Sequence, residues 1–218
     1  MEQVIDFINI MPVVGKTMAG IFVLSFFIMI MIMIYMEDRG RRWKKNAMLF
    51  SKEIERILND NTDDWHVINY PTLVDGIHHI IVTTRGVFVI RVQYADGHVR
   101  GGKDSRWTVS NRLWTEEIIN PSMVLRKVIE NRLAPAMKCP TDIFIPIAVF
   151  PDKAEIDAAA DVSVIHAGSL RDFILSPVPD IMTPGQMEGF VHTFEILQHA
   201  HDFMKRRDEM FNSKDLQQ

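Results

Sequence analysis

Cysteine is almost absent from this chain of 218 residues. Cys139 is the single one, which excludes an internal disulfide and a metal site built from several thiolates. The glycine patterns that cradle nucleotide phosphates are missing, and so is the Gly-x-Ser-x-Gly elbow of many hydrolases. Basic residues are not in excess either, because the formal net charge is −4. General electrostatic attraction to nucleic acid is therefore not favoured, although a local basic groove is still allowed.

Charged residues are also missing from the run between Thr17 and Met36, which reads TMAGIFVLSFFIMIMIMIYM. A helix of this length spans roughly 30 Å, the thickness of the hydrocarbon core of a bilayer. A cleaved signal peptide fits less well, because Glu2 and Asp6 precede the run and no small-residue cleavage site follows it. We expect residues 17–36 to form a single transmembrane helix, preceded by a short extracytoplasmic leader at residues 1–16.

The flanks of this run predict its orientation. Residues 37–46, the predicted juxtamembrane hinge, carry five basic side chains: Arg39, Arg41, Arg42, Lys44 and Lys45. Only Lys16 precedes the run. Because basic residues stay on the cytoplasmic side, we expect the N-terminus outside and the remaining chain in the cytoplasm, with membrane lipid as one partner.

Hydrophobic patterning after residue 46 predicts an α/β domain. Helical spacing marks residues 47–58, and Asn120-Pro121 starts a second helix that is expected to stop before Pro135. A short helix is predicted over 170–175, and a capping box at Thr183–Gln186 opens a long last helix. Strands are predicted at 65–69, 76–84, 86–94, 98–100, 107–109, 142–150 and 161–166. This order indicates an α/β sandwich built on a mixed β-sheet flanked by helices.

The run GIHHIIVTTRGVFVIRVQYADGHVRG, from Gly76 to Gly101, is followed by Trp107 and then by Asn120-Pro121. This pattern resembles the nuclease-related domain (NERD) family, a relative of the PD-(D/E)XK nucleases. The family core reads approximately I-D-H-I-I-V, a turn, F-V-I-E-V-K, a Trp, and N-P at a helix start. The resemblance implies a restriction-endonuclease-like domain over residues 47–176, with a C-terminal helix and tail at 177–218.

The catalytic positions implied by the resemblance hold other residues in this chain. The metal-binding Asp of the family falls on His78, the Glu on Arg91 and the Lys on Gln93. A Gly-Glu pair of the first helix would fall near Phe50-Ser51, and a frequent Gln falls on Val124. Such nucleases hold Mg²⁺ with carboxylates, and a guanidinium beside that position opposes the ion. We therefore expect a degenerate site with no metal, no cofactor and no catalytic residue.

Two interpretations of Arg91 remain open. Its fork suits phosphate geometry, so Arg91 and His78 are candidates for a phosphate contact. Alternatively, Arg91 pairs with a carboxylate such as Asp96, or it caps the end of a sheet. Three histidines of the last helix (His192, His199 and His201) are expected on the surface rather than at a metal, because their spacing does not converge on one ligand point.

These observations lead to a functional hypothesis. We expect a membrane-anchored, catalytically inactive NERD-like protein that serves as a structural or docking subunit of a membrane assembly. By analogy, a bacterial DNA-transfer (conjugation) or type IV secretion apparatus in the inner membrane is the expected setting, with protein partners in that complex. The alternatives are a membrane-tethered nuclease and a nucleic-acid-binding protein.

Overall fold

The computed structural model describes residues 2–60, 65–111, 114–177 and 179–215. The chain divides into two compact units, residues 1–46 and residues 47–218. The second unit is an α/β domain with mixed sheets and flanking helices, as the sequence predicts. Residue 47 is the first residue of the second unit.

The first helix, α1, extends without a break from Glu2 to Asn59. Its apolar part exposes large side chains, such as Phe22 at 79%. Within the described residues this is the one helix that is long and apolar enough to cross a membrane. The predicted hinge is itself helical, and its ion pairs Arg41–Glu37 and Arg42–Asp38 join residues one turn apart. The helix therefore continues through the segment for which the sequence suggested a hinge.

A five-stranded sheet forms the centre of the second unit. Its strands are β1 (His66–Asn69), β2 (His79–Thr83), β3 (Gly86–Val92), β7 (Phe144–Phe150) and β9 (Ser163–His166), in the spatial order β1-β2-β3-β7-β9. The first three strands are antiparallel neighbours, while β7 runs parallel to both β3 and β9. The β-branched and aromatic residues of these strands explain why the sequence predicted each of them.

A second, four-stranded sheet accompanies the mixed central sheet. It contains β4 (His98–Gly101), β5 (Trp107–Ser110), β6 (Thr115–Ile118) and β8 (Glu155–Ala158), in the order β6-β5-β4-β8. Neither β6 nor β8 was predicted. Their sequences, TEEI and EIDA, are rich in residues that disfavour strands, so pairing with β5 and β4 determines their conformation.

The helix after Asn120 continues further than predicted. It begins as α2 (Pro121–Val128), widens into a π-helical turn (Ile129–Leu133) and ends as α3 (Ala134–Met137). In the wide turn the Ala134 N–H donates to the Ile129 carbonyl, five residues earlier. This spacing lets the helix pass Pro135, which lacks an N–H and crowds the carbonyl four residues before it. The stop predicted before this proline was therefore wrong.

The remaining helices are α4 (Leu170–Leu175), α5 (Pro184–Asp215) and the 3₁₀ turns Thr141–Ile143 and Ala167–Ser169. The predicted capping box is confirmed, because Thr183 Oγ1 accepts from the Gln186 N–H and Gln186 Oε1 accepts from the Thr183 N–H. On α5, Phe190 and Phe194 are buried while Met204 is exposed.

Side-chain alternation gives the central sheet two different faces. Val87 and Val89 of β3 belong to the main core, together with Trp107 of β5 and Leu125 of α2. On the opposite face, the Phe88 ring meets Phe173 of α4 edge-on, with centroids 6.5 Å apart. Residues 91 and 93 continue the series of odd-numbered positions, so they lie on the face that carries α2.

Candidate functional site

The candidate site lies where β3 ends beside the start of β2. The His78 N–H donates to the Ile90 carbonyl at 2.9 Å, and the Val92 N–H donates to His78 Nδ1 at 3.1 Å. These two bonds place the His78 side chain next to that of Arg91. The Gln93 N–H donates to the Val149 carbonyl at 2.9 Å, which keeps the chain extended past β3. The three positions named from the sequence thus lie along one short stretch of the sheet.

The guanidinium of Arg91 is held by backbone. Its Nη1 donates to the Gly76 carbonyl at 2.6 Å, and Nε is buried without a hydrogen-bond partner. Gly76 adopts φ +82°, and a Cβ there would lie 2.9 Å from Arg91 Nη1, so this approach depends on glycine. Burial lowers the pKa of Arg91. The arginine therefore caps a backbone carbonyl at the end of the sheet.

The carboxylate suggested for Arg91 has another partner. Asp96 accepts from Lys153 Nζ at 3.1 Å, and the same Nζ lies 3.3 Å from the Tyr94 hydroxyl. Across the part of the chain that the structure describes, no carboxylate is paired with Arg91. The predicted pairing with Asp96 was wrong, whereas the alternative of a capped sheet end is what the structure has.

His78 is a neutral hydrogen-bond donor at this site. Burial, and then the positive charge of Arg91, lower the pKa of His78 to about 4. Its Nδ1 accepts the Val92 N–H, so the ring proton resides on Nε2. The lone pair of Nδ1 is therefore already used by the Val92 N–H and is not free to bind a metal. The other ring nitrogen, Nε2, presents an N–H.

His79 lies on the opposite face of the sheet and is fully buried. Its Nδ1 donates to Asn69 Oδ1 at 2.8 Å, and Nε2 is buried without a partner. Burial, with a smaller contribution from His78, lowers the pKa of His79 to about 4. The Tyr70 ring is 5.3 Å away, and its hydroxyl lies 3.0 Å from Ser51 Oγ on α1. Ser51 is near the position where the resemblance implied an acid in the first helix. It therefore takes part in a contact between two neutral hydroxyl groups.

The residues at this site do not fit a divalent cation. Mg²⁺ requires several hard oxygen ligands, and carboxylates supply most of them in proteins. The site instead presents a guanidinium, an imidazole N–H and an amide side chain. Among the residues described by the structure, no group of three or more His, Cys, Asp or Glu side chains could hold a metal. The chemistry available here is hydrogen-bond donation to an acceptor or an anion.

The Asn-Pro and Trp motifs serve the fold beside the site. Asn120 is 1% exposed; its Oδ1 caps α2 by accepting the Ser122 N–H, and its Nδ2 donates to the carbonyls of Gly102, Lys103 and Ser105. Trp107 is fully buried, stacks on Phe150 and donates from Nε1 to the Gly102 carbonyl at 3.0 Å. The sequence predicted the cap but not the hydrogen bonds from Asn120 and Trp107 to the 102–105 loop, because no local pattern indicates which loop a side chain will contact.

The comparisons with known proteins agree with the motifs. The family model described as nuclease-related domain (NERD) matches residues 41–151, more than half of the 218 residues. No curated protein and no solved structure matches the chain. The mixed sheets and flanking helices are compatible with a nuclease-like fold. The chain belongs to the nuclease-related domain family.

Proposed function

We propose that this chain is a membrane-anchored NERD-domain protein that does not cleave nucleic acid and acts as a docking or structural subunit of a membrane assembly. The observation that carries the proposal is Arg91, a guanidinium bonded to the Gly76 carbonyl at the position where the family places a metal-binding glutamate. A divalent ion about 5 Å from a fixed positive charge is repelled by roughly 7 kcal/mol at an effective dielectric constant of about 20. In the described part of the chain, no carboxylate is paired with Arg91 to compensate for that repulsion.

The rival function is an active, membrane-tethered nuclease. The discriminating experiment incubates the full chain in mild detergent with DNA and RNA, in the presence of Mg²⁺ or Mn²⁺. We expect no cleavage above that of a buffer control. Cleavage that disappears in both Arg91→Ala and His78→Ala would establish the rival, whereas cleavage that survives both substitutions would indicate a contaminating nuclease.

The docking role is supported by the combination of a candidate membrane span with a family domain whose metal site is replaced. A bacterial inner membrane, with a DNA-transfer or type IV secretion apparatus as the assembly, is the setting that we infer by analogy with nuclease ancestry. The test is gentle solubilisation of native membranes, capture of the tagged chain and mass spectrometry of what accompanies it. We expect defined partners in stoichiometric amounts. A chain that migrates as a lone monomer contradicts the docking role.

The orientation in the membrane belongs to the same proposal. Two exposed Arg–acid pairs lie within residues 37–46, but this segment still holds five basic residues, whereas one basic residue precedes the span. In a Cys139→Ser background, Gln3→Cys should react with a membrane-impermeant maleimide in intact cells. Asp75→Cys, at an exposed position of the globular unit, should react only after permeabilisation. The reverse pattern contradicts the proposed orientation.

A further inference from the structure

Among the residues that the structure describes, Arg91 carries a positive charge without a paired acid. The side chain is only partly exposed, its Nε is buried without a partner, and its Nη1 is bonded to a carbonyl rather than to a carboxylate. Partly buried cations in proteins are normally neutralised by an acid or by a bound anion, because leaving one unpaired destabilises the fold. Within the described ranges no acid pairs with Arg91, so its charge is available to a bound anion.

The geometry of the guanidinium indicates which anion fits. Because Nε has no exposed surface, a ligand can meet the guanidinium only at the edge formed by Nη1 and Nη2, where one N–H of Nη1 is engaged by the Gly76 carbonyl and the other N–H groups remain to be donated. That edge presents two parallel N–H groups, the arrangement that pairs with two oxygens of a phosphate or carboxylate. A planar carboxylate uses both of its oxygens in such a pair. A tetrahedral phosphate has further oxygens for other donors.

Further donors are present beside Arg91. His78 is neutral, and because Nδ1 accepts the Val92 N–H, its proton lies on Nε2 and can be donated. Gln93 lies on the same sheet face as Arg91 and is only partly exposed, so its amide can add a neutral N–H. One cation and two neutral donors match a ligand that carries its negative charge on several oxygens.

We propose that Arg91, His78 and Gln93 bind a phosphate group directly, with no metal ion. The phosphate group can belong to a nucleic-acid phosphodiester, to free phosphate or to a phosphomonoester, because the three side chains donate hydrogen bonds to oxygens that all of these ligands carry. This inference goes beyond the docking function and holds whether or not a partner protein is found. It also differs from the nuclease rival, since no bond is broken.

The test uses the full chain in nonionic detergent at low ionic strength. Inorganic phosphate is titrated into the protein by calorimetry, and a fluorescein-labelled single-stranded DNA is titrated by anisotropy. We expect saturable phosphate binding that Arg91→Gln weakens roughly ten- to a hundredfold, the effect of losing a charge-assisted fork. Arg100→Gln, which removes an exposed arginine of β4, is the matched control and should leave phosphate binding unchanged.

The two sources of phosphate give different results. DNA that binds, is displaced by inorganic phosphate and is weakened by Arg91→Gln supports the proposal with a phosphodiester as the source. Phosphate binding without DNA binding supports it with a free phosphate or phosphomonoester as the source. Absence of phosphate binding by the unsubstituted chain overturns the proposal, and so does binding that Arg91→Gln leaves intact.

Folding of the variants is checked by thermal unfolding before any titration. If Arg91→Gln does not fold, Arg91→Lys replaces it, since lysine keeps the charge but lacks the fork. We then expect a several-fold weakening by Arg91→Lys and a smaller one by His78→Phe. Equal affinity in both of these variants and in the unsubstituted chain counts against the proposal as fully as absence of binding.

Discussion

Lowering the pH from about 7.5 to about 5 should destabilise the folded chain through His78 and His79. In the folded state the pKa of each lies at about 4, below the ordinary value of 6.5, because burial opposes the charged ring. Between these values the unfolded chain binds protons that the folded chain does not. The stabilising contribution is therefore complete above pH 6.5 and is lost as the pH falls towards 4. At pH 5 the loss should be about 2 kcal/mol for each histidine.

The assay is urea unfolding of the full chain in nonionic detergent, followed by fluorescence of the buried tryptophans Trp65 and Trp107. Other acids also titrate in this range, so the informative quantity is the difference between variants. Relative to the matched control His192→Phe, at an exposed position of α5, His79→Phe should reduce the free energy lost between pH 7.5 and 5 by about 2 kcal/mol. An identical pH dependence in His79→Phe and in the unsubstituted chain would refute the reasoning.

Two substitutions probe the contacts that shape the site, with urea unfolding as the measurement. Asn120→Asp keeps the acceptor for the Ser122 N–H but removes the two N–H groups that Asn120 shares among three carbonyls, so it should lower the free energy of unfolding by about 2 kcal/mol. A change below about 0.5 kcal/mol would contradict a stabilising role for these bonds. Gly76→Ala should cost about 1–2 kcal/mol because of the positive φ and should also displace Arg91. Its control, Gly189→Ala, has open space around the new Cβ within helix α5 and should stabilise by up to about 1 kcal/mol. Equal effects of the two glycine substitutions would show that the Gly76 conformation carries no strain for alanine.

The elements that the sequence predicted well are those that local chemistry determines. The N–H donors at the start of α2 need an acceptor, and Asn120 supplies it; the β-branched run of β3 favours a strand wherever the chain places it. Tertiary pairing determines the elements that were missed. The strand β8 has little strand propensity of its own, and pairing with β4 holds it. The passage of the helix through Pro135 likewise depends on a π-helical turn that no local signal announced.

The candidate site also combines features that local sequence determines with features that depend on tertiary contacts. Alternation along β3 places residues 91 and 93 on one face, and that follows from sequence alone. The bond from Arg91 to the Gly76 carbonyl does not, because it depends on a glycine fifteen residues earlier that adopts a positive φ. The low pKa values of His78 and His79 were also beyond sequence reasoning, since burial causes them and burial is a property of the folded chain.

The most direct test of the account is Mn²⁺ binding by the full chain in detergent, measured by calorimetry and by electron paramagnetic resonance. The positive control is the triple variant His78→Asp, Arg91→Glu, Gln93→Lys, which restores the residue types of the family motif and should gain Mn²⁺ affinity. We expect no stoichiometric Mn²⁺ in the unsubstituted chain at concentrations that saturate the triple variant. Binding of one Mn²⁺ per unsubstituted chain that is lost in His78→Ala would contradict the claim that the Arg91 guanidinium excludes a divalent ion from this site.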